Sequence, residues 1–172
     1  RLIGRTPSAV ALKLVNFARL DPELQKRNIA GMSHGSKAEV GIWNEFHGDW
    51  ENLAYISETI LAGYKNITVE ESAAIPTDDL PREGKERESV VKTRVNQSFF
   101  RKTILASYEY RCCITGITIP DLLVASHIVP WAEDAKNRLN PHNGLCLNAL
   151  HDKAFDRFLI TITEDFRVKI AD

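Results

Sequence analysis

Apolar side chains recur every three or four positions through the first sixty residues and give way to short β-branched runs after residue 120, which predicts an α+β protein. Over residues 7–18 Val10, Leu14 and Phe17 share one helical face, with Pro7 suited to the first turn and Thr6 or its neighbour suited to cap it. Ile3-Gly4-Arg5-Thr6-Pro7 reads as a tight turn. A helix ending near Leu2, this turn and the 7–18 helix would make a helix-turn-helix-like element, in which Arg5, Ser8 and Lys13 could touch phosphates or base edges; the same pattern also suits a plain helical hairpin. Asp21-Pro22 and the stretch from Gly31 to Ser36 read as breakers or caps. From Lys37 to about Leu61, Val40, Trp43, Phe46, Trp50, Leu53 and Ile56 predict a second helical region that Gly48 interrupts. Its aromatic stripe has the spacing of a buried face rather than of a base-stacking platform, and His34 and His47 read as surface or capping residues.

Residues 63–95 turn acidic and Pro-containing, as in Ile75-Pro76-Thr77-Asp78-Asp79-Leu80-Pro81, and are read as a linker between a helical module at 1–62 and a second domain at 96–172. In that domain Gln97 to Tyr110 predicts a helix capped by Asn96 or Ser98, with Phe100, Ile104 and Tyr108 on one face. Cys112 to Gly116 is a turn and residues 122–128 a strand ending at His127. Residues 131–143 form a loop, 144–148 a second strand and 149–158 a helix. Residues 159–163 pair with 167–170 around Glu164-Asp165 as a terminal hairpin.

At 172 residues and 44% hydrophobic composition the chain can bury a core in one domain or two small ones. A helical pattern already under way at Arg1 points to a preceding segment. No apolar run reaches the roughly 18 residues of a membrane span, so a cytoplasmic location is the default expectation. Cys112, Cys113 and Cys146 form neither an even disulfide framework nor paired C-x-x-C knuckles, which fits reduced thiols. The net charge of −1 hides an uneven distribution: six Lys/Arg against two Asp/Glu over 1–30, five against twelve over 31–90, and eleven against nine over 91–172. Lys92, Arg94, Arg101, Lys102 and Arg111 face only Glu109 across 92–111, an excess suited to backbone phosphates or to a solvated helix face.

The chemistry concentrates in Ser126-His127-Ile128-Val129-Pro130-Trp131, Asn140-Pro141-His142-Asn143-Gly144-Leu145 and His151-Asp152-Lys153-Ala154-Phe155-Asp156. Singly, His127 could be a core histidine, Asn143-Gly144 a plain turn and His151 a helix-start residue. Together, and in the order strand, loop, strand, helix, they resemble the His-Asn-His (HNH) endonucleases of the bacterial restriction type. Over residues 97–163 the similarity also includes Phe100-Arg101, Tyr108, Arg111-Cys112 and Ile114-Thr115-Gly116. The first sixty residues resemble, less specifically, an amino-terminal module found with such nucleases.

The resemblance implies a ββα-metal nuclease domain with a flanking helix and a carboxy-terminal hairpin, hydrolysing phosphodiester bonds of double-stranded DNA. His127 would be the general base, Asn143 would tether the loop, and His151 would bind a divalent ion, Mg²⁺ or Mn²⁺. Ser126 stands where many relatives have an acidic or histidine ligand, and its neutral hydroxyl is a poor ligand for a hard cation, so water, substrate phosphate or a carboxylate such as Asp152 or Asp156 would complete the ion's shell, Asp156 being better placed to tie helix to loop. Thr115 cannot replace a thiolate, and no structural zinc is expected. Arg5, Lys13, Arg101, Lys102 and Arg138 are the candidate DNA contacts, and Trp131 is expected to pack under the loop. Cutting both strands with one site per chain calls for a homodimer or two successive nicks. The competing readings are a DNA-binding module with a decayed nuclease site and a protein-interaction domain.

Overall fold

The computed structural model of the chain describes residues 4–171. The chain divides into two compact units, Arg1–Leu80 and Pro81–Asp172. The division falls inside the segment read from sequence as a linker. The expected helix ending near Leu2 lies outside the described residues.

The first unit is helical: α1 (Pro7–Ala18), α2 (Pro22–Lys26), α3 (Lys37–Phe46), α4 (Trp50–Lys65) and α5 (Val69–Ser72). Its helix starts follow the capping chemistry of the sequence. Thr6 accepts from the Ala9 N–H, Asp21 from Glu23 and Leu24, and Ser36 and Glu39 form a reciprocal capping box. Gly48, at φ +84°, breaks what would otherwise be one long helix into α3 and α4. The apolar face expected of α1 is not its buried face. Leu14 is 65% exposed and Val10 is exposed, whereas Asn16 is buried beside Glu39. The reason is polar: Glu39 is 4% exposed and draws α1 onto α3 through Lys13 Nζ at 2.6 Å and Asn16 Nδ2 at 2.9 Å. Lys13, a candidate DNA contact, thus has its ammonium tied to Glu39. Phe17 lies against Trp43, whose other neighbour is the His47 ring.

The second unit contains α6 (Gly84–Ser107), β1 (Leu123–His127), β2 (Gly144–Asn148), α7 (Ala149–Asp156), β3 (Ile160–Ile162) and β4 (Val168–Ile170). Helix α6 begins thirteen residues before the position read from sequence, at Gly84 rather than Gln97. The expected caps, Asn96 and Ser98, are therefore interior, and Asn96 is buried. A polar surface concealed this start: the first three turns alternate Lys, Glu and Arg, and the buried face is only Val91, Val95, Asn96, Phe100, Ile104 and Leu105. Strands β1 and β2 pair antiparallel, with Leu123 opposite Asn148 and His127 opposite Gly144, and β3 pairs with β4 as a second two-stranded sheet. Helix α6 seats on one side of β1–β2 and α7 packs on the same hairpin. The close seating depends on Gly144, where a Cβ would collide with Ile104 and Phe100. Ile104, Leu123, Leu139, Leu147, Cys112 and Cys146 form the fully buried centre. Among the described residues no helix is long and apolar enough to cross a membrane.

Ile104 is 0% exposed, so Ile104→Ala should lower the stability of the chain by about 2–5 kcal/mol in urea unfolding. Hydrogen bonds from Lys13, Asn16 and the Ser36 N–H hold Glu39 at about 2 against an ordinary 4.5. Because the folded value is the lower one, this contribution is complete above pH 4.5 and disappears as the pH falls from 4.5 toward 2. Acid titration followed by Trp43 and Trp50 fluorescence should show a loss of stability over that window that Glu39→Gln lacks.

Candidate active site

His127 is the last residue of β1, where the strand gives way to a loop that returns at Asn143. Its ring lies flat on Phe100 of α6, with centroids 3.9 Å apart and planes 9° from parallel, and the edge of the half-buried Trp131 closes another side at 5.5 Å. Nε2 is 2.9 Å from the Arg138 carbonyl oxygen. A carbonyl can only accept, so Nε2 carries the proton, and in the neutral ring the lone pair is on Nδ1, which has no hydrogen-bond partner among the described residues. Stacking fixes the ring plane and the carbonyl fixes the tautomer. A pocket of about 280 Å³ opens beside the ring, walled by Gln97, Arg101 and Trp131 among others.

The carbonyl is held in place by Asn143. That side chain is buried and bonds the backbone on both arms of the loop: its Oδ1 accepts from Val129 N–H at 2.8 Å, and its Nδ2 donates to Val129 O at 3.1 Å and to Asn137 O at 3.4 Å. The Ile128 N–H adds a bond to the Asn143 carbonyl. Within the loop Asp134 accepts from the Lys136 and Asn137 N–H groups and from the Asn137 amide, and the Asn137 amide leads in holding its carboxyl below the ordinary range. Leu139, 1% exposed, anchors the loop in the core one residue past the Arg138 carbonyl. The Arg138 guanidinium lies 5.2 Å from the Trp131 ring centroid, so this candidate DNA contact also braces the loop.

His151 sits at the third position of α7, which Asn148 caps. Asn148 Oδ1 accepts from the His151 N–H, which forces Nδ2 toward the ring, 3.0 Å from His151 Nδ1 and 3.1 Å from Thr115 Oγ1. An amide nitrogen can only donate, so Nδ1 accepts and the neutral ring carries its proton on Nε2. The Asn148 N–H meanwhile donates to Cys112 Sγ at 3.2 Å. Burial pushes the Cys112 thiol up, but hydrogen bonds from Thr115, Ile114 and Asn148 outweigh it and favour the thiolate. Cys112, Thr115, Asn148 and His151 thus form one hydrogen-bonded cluster that ties the turn before β1 to the start of α7. The sequence signalled only half of it, as Cys112-x-x-Thr115. An Asn three residues before His151 is a capping pattern and was legible too.

Asp152 and Asp156 stand one helical turn apart on α7. Burial pushes the Asp152 carboxyl above its ordinary range, the Asp156 charge pushes the same way, and the nearby Ser126 hydroxyl opposes both. Ser126 is 3% exposed, and among the described residues its Oγ has no partner at good hydrogen-bond geometry despite its nearness to Asp152. The tie between Asp156 and the loop expected from sequence is not formed, since Asp156 is exposed at the helix end without a hydrogen bond among the described residues. No three His, Cys, Asp or Glu side chains among those residues could together hold a metal ion. Asp152 and the buried Ser126 hydroxyl nevertheless lie side by side, with the Asp156 charge close enough to act on Asp152, and oxygen donors of this kind are those a hard cation takes. Arg101 and Lys102 are exposed on α6, and Arg5 is exposed before α1 in the first unit.

Asn143→Ala removes the clamp without filling the space. The Val129 amide, protected in the parent, should exchange with solvent about tenfold faster or more in hydrogen–deuterium exchange, corresponding to a local loss of about 1–3 kcal/mol.

None of the curated proteins matches this chain. The segment that carries the turn at Cys112, the β1–β2 hairpin, the clamped loop, α7 and β3, residues 112–163, matches the family of HNH endonucleases.

Proposed function

We propose that the chain is a divalent-metal-dependent endonuclease that hydrolyses phosphodiester bonds of double-stranded DNA, with His127 as general base, acting in a restriction-type role. The observation that carries this reading is the state of His127: a ring stacked on Phe100, its Nε2 proton committed to the Arg138 carbonyl, its Nδ1 lone pair taken by none of the described residues. A base needs it free to take a proton from an attacking water.

His127 Nδ1 accepts that proton while the Arg138 carbonyl steadies the imidazolium that forms. Asn143 keeps the carbonyl in register by closing the loop on both arms. Asp152 and Asp156, with Ser126, would hold the divalent ion, and the ion when bound offsets charge on the phosphate and leaving oxygen. His151, expected from sequence to bind the ion, is assigned differently because its Nδ1 accepts from Asn148. Its Nε2–H suits donation to a phosphate oxygen. Raised by burial, the Asp152 carboxyl gains most from a cation that restores its ionised form. Mg²⁺ or Mn²⁺ suits two carboxylates and a hydroxyl, whereas Zn²⁺ prefers nitrogen and sulfur donors. Arg101 on α6 and Arg138 on the loop flank His127 and supply positive charge for the DNA backbone.

Supercoiled plasmid incubated with the protein and Mg²⁺ or Mn²⁺ should be nicked and linearised, and chelation should stop it. His127→Ala should cut about 10²–10⁴-fold more slowly while retaining its salt-dependent DNA affinity. Intact plasmid with a mobility shift under every metal would favour the decayed-site reading, which the hydroxyl at position 126 motivates. Full activity of His127→Ala would remove the base assignment.

A further inference from the structure

The terminal hairpin presents more apolar surface than a solvated element of its size should. Phe158 is 84% and Phe166 90% exposed, and Leu159, Val168 and Ile170 are exposed beside them. The two phenylalanines alone leave on the order of 300 Å² of apolar surface in water. The aliphatic neighbours carry the patch to or beyond the roughly 300–600 Å² of the largest patch on a typical monomer. Between the hairpin and the β1–β2 core runs a groove of about 870 Å³, whose walls include Ile114, Ile128, Leu145 and Phe155 and whose rim carries Phe158 and Phe166.

We propose that this face is a homodimer contact, in which Phe158 and Phe166 of one copy enter the groove of a second copy. Projecting rings and the groove that would accept them sit on the same face, which is the self-complementarity an isologous two-fold contact requires. The exposed apolar area, on the order of 300–600 Å², supplies a substantial part of the roughly 800 Å² that one partner gives to a stable complex. Local charge permits the approach: Glu164 and Asp165 are balanced by Arg167 and Lys169, and Asp165 and Arg167 already pair at 2.9 Å. A balanced patch disfavours nucleic acid or an anionic lipid surface as the occupant and leaves two like copies without net repulsion. One His127 per chain supplies one cutting centre, so the pair would supply the two that a double-strand break needs. That consequence rests on the nuclease reading, whereas the association itself does not.

The test is the mass of the full chain in solution, by analytical ultracentrifugation, for the parent, for F158K/F166K and for L14K on the exposed face of α1. Both phenylalanines are nearly fully exposed, so the double variant should keep the parent's circular dichroism. The expected result is a dimer for the parent and L14K, and a monomer for F158K/F166K, with the dissociation constant raised about tenfold or more. On plasmid the double variant should nick at the parental rate while the ratio of linear to nicked product falls about tenfold. A parent that stays monomeric at roughly 100 μM, a concentration at which a contact of this size should be populated, would overturn the proposal. So would a double variant that remains dimeric, or an L14K protein that alone dissociates. A dimer that dissociates as expected but never cuts DNA would support the contact while removing the nuclease reading.

Discussion

The buried amide of Asn143 is the constraint on which the candidate site depends. Its carbonyl and amino groups satisfy backbone partners at Val129 and Asn137, the two arms of a loop that would otherwise be free to open. Closing the loop brings the Arg138 carbonyl to His127 Nε2, and that one contact decides which ring nitrogen is free. An amide is suited to this because it alone among side chains offers an acceptor and two donors in a rigid plane. A carboxylate could accept from Val129 N–H but could not donate to the two carbonyls.

Two further pieces of packing make the clamp effective. Gly144 lets α6 approach β2 closely enough for Phe100 to lie flat on His127, so the ring's orientation is set by the core while its protonation is set by the loop. On the other side of the hairpin, the hydrogen bonds joining Cys112, Thr115, Asn148 and His151 fix where α7 begins and hence where Asp152 meets Ser126. The hairpin is thus gripped from both sides by interactions that do different work. Packing restrains α6 against it, and directed polar contacts restrain α7.

Much of this was legible in the sequence. The bounds of α1 and β2, the turn at Glu164-Asp165, the break at Gly48 and the order strand, loop, strand, helix all follow from capping residues and apolar period. What escaped did so for physical reasons. The first three turns of α6 carry their buried residues too sparsely among charges to show a helical face, so they read as linker. The buried face of α1 is polar, organised by Glu39, and a search for apolar stripes looks at the wrong side of the helix. Backbone partners leave no residue-type signal: nothing about an arginine at position 138 says that its carbonyl faces an imidazole. Nor does the spacing of His151 reveal that Asn148 occupies one of its ring nitrogens.

The central claim is that His127 is held as the tautomer with Nε2 protonated and Nδ1 free. Nitrogen-15 NMR of the imidazole side chains, with His127 assigned through a His127→Gln variant, reads that state directly at a pH where the ring is neutral. The account predicts a pyrrole-like Nε2 and a pyridine-like Nδ1 for His127, with the distinction lost in Asn143→Ala. A protonated Nδ1, or two nitrogens averaged between both forms in the parent protein, would contradict it.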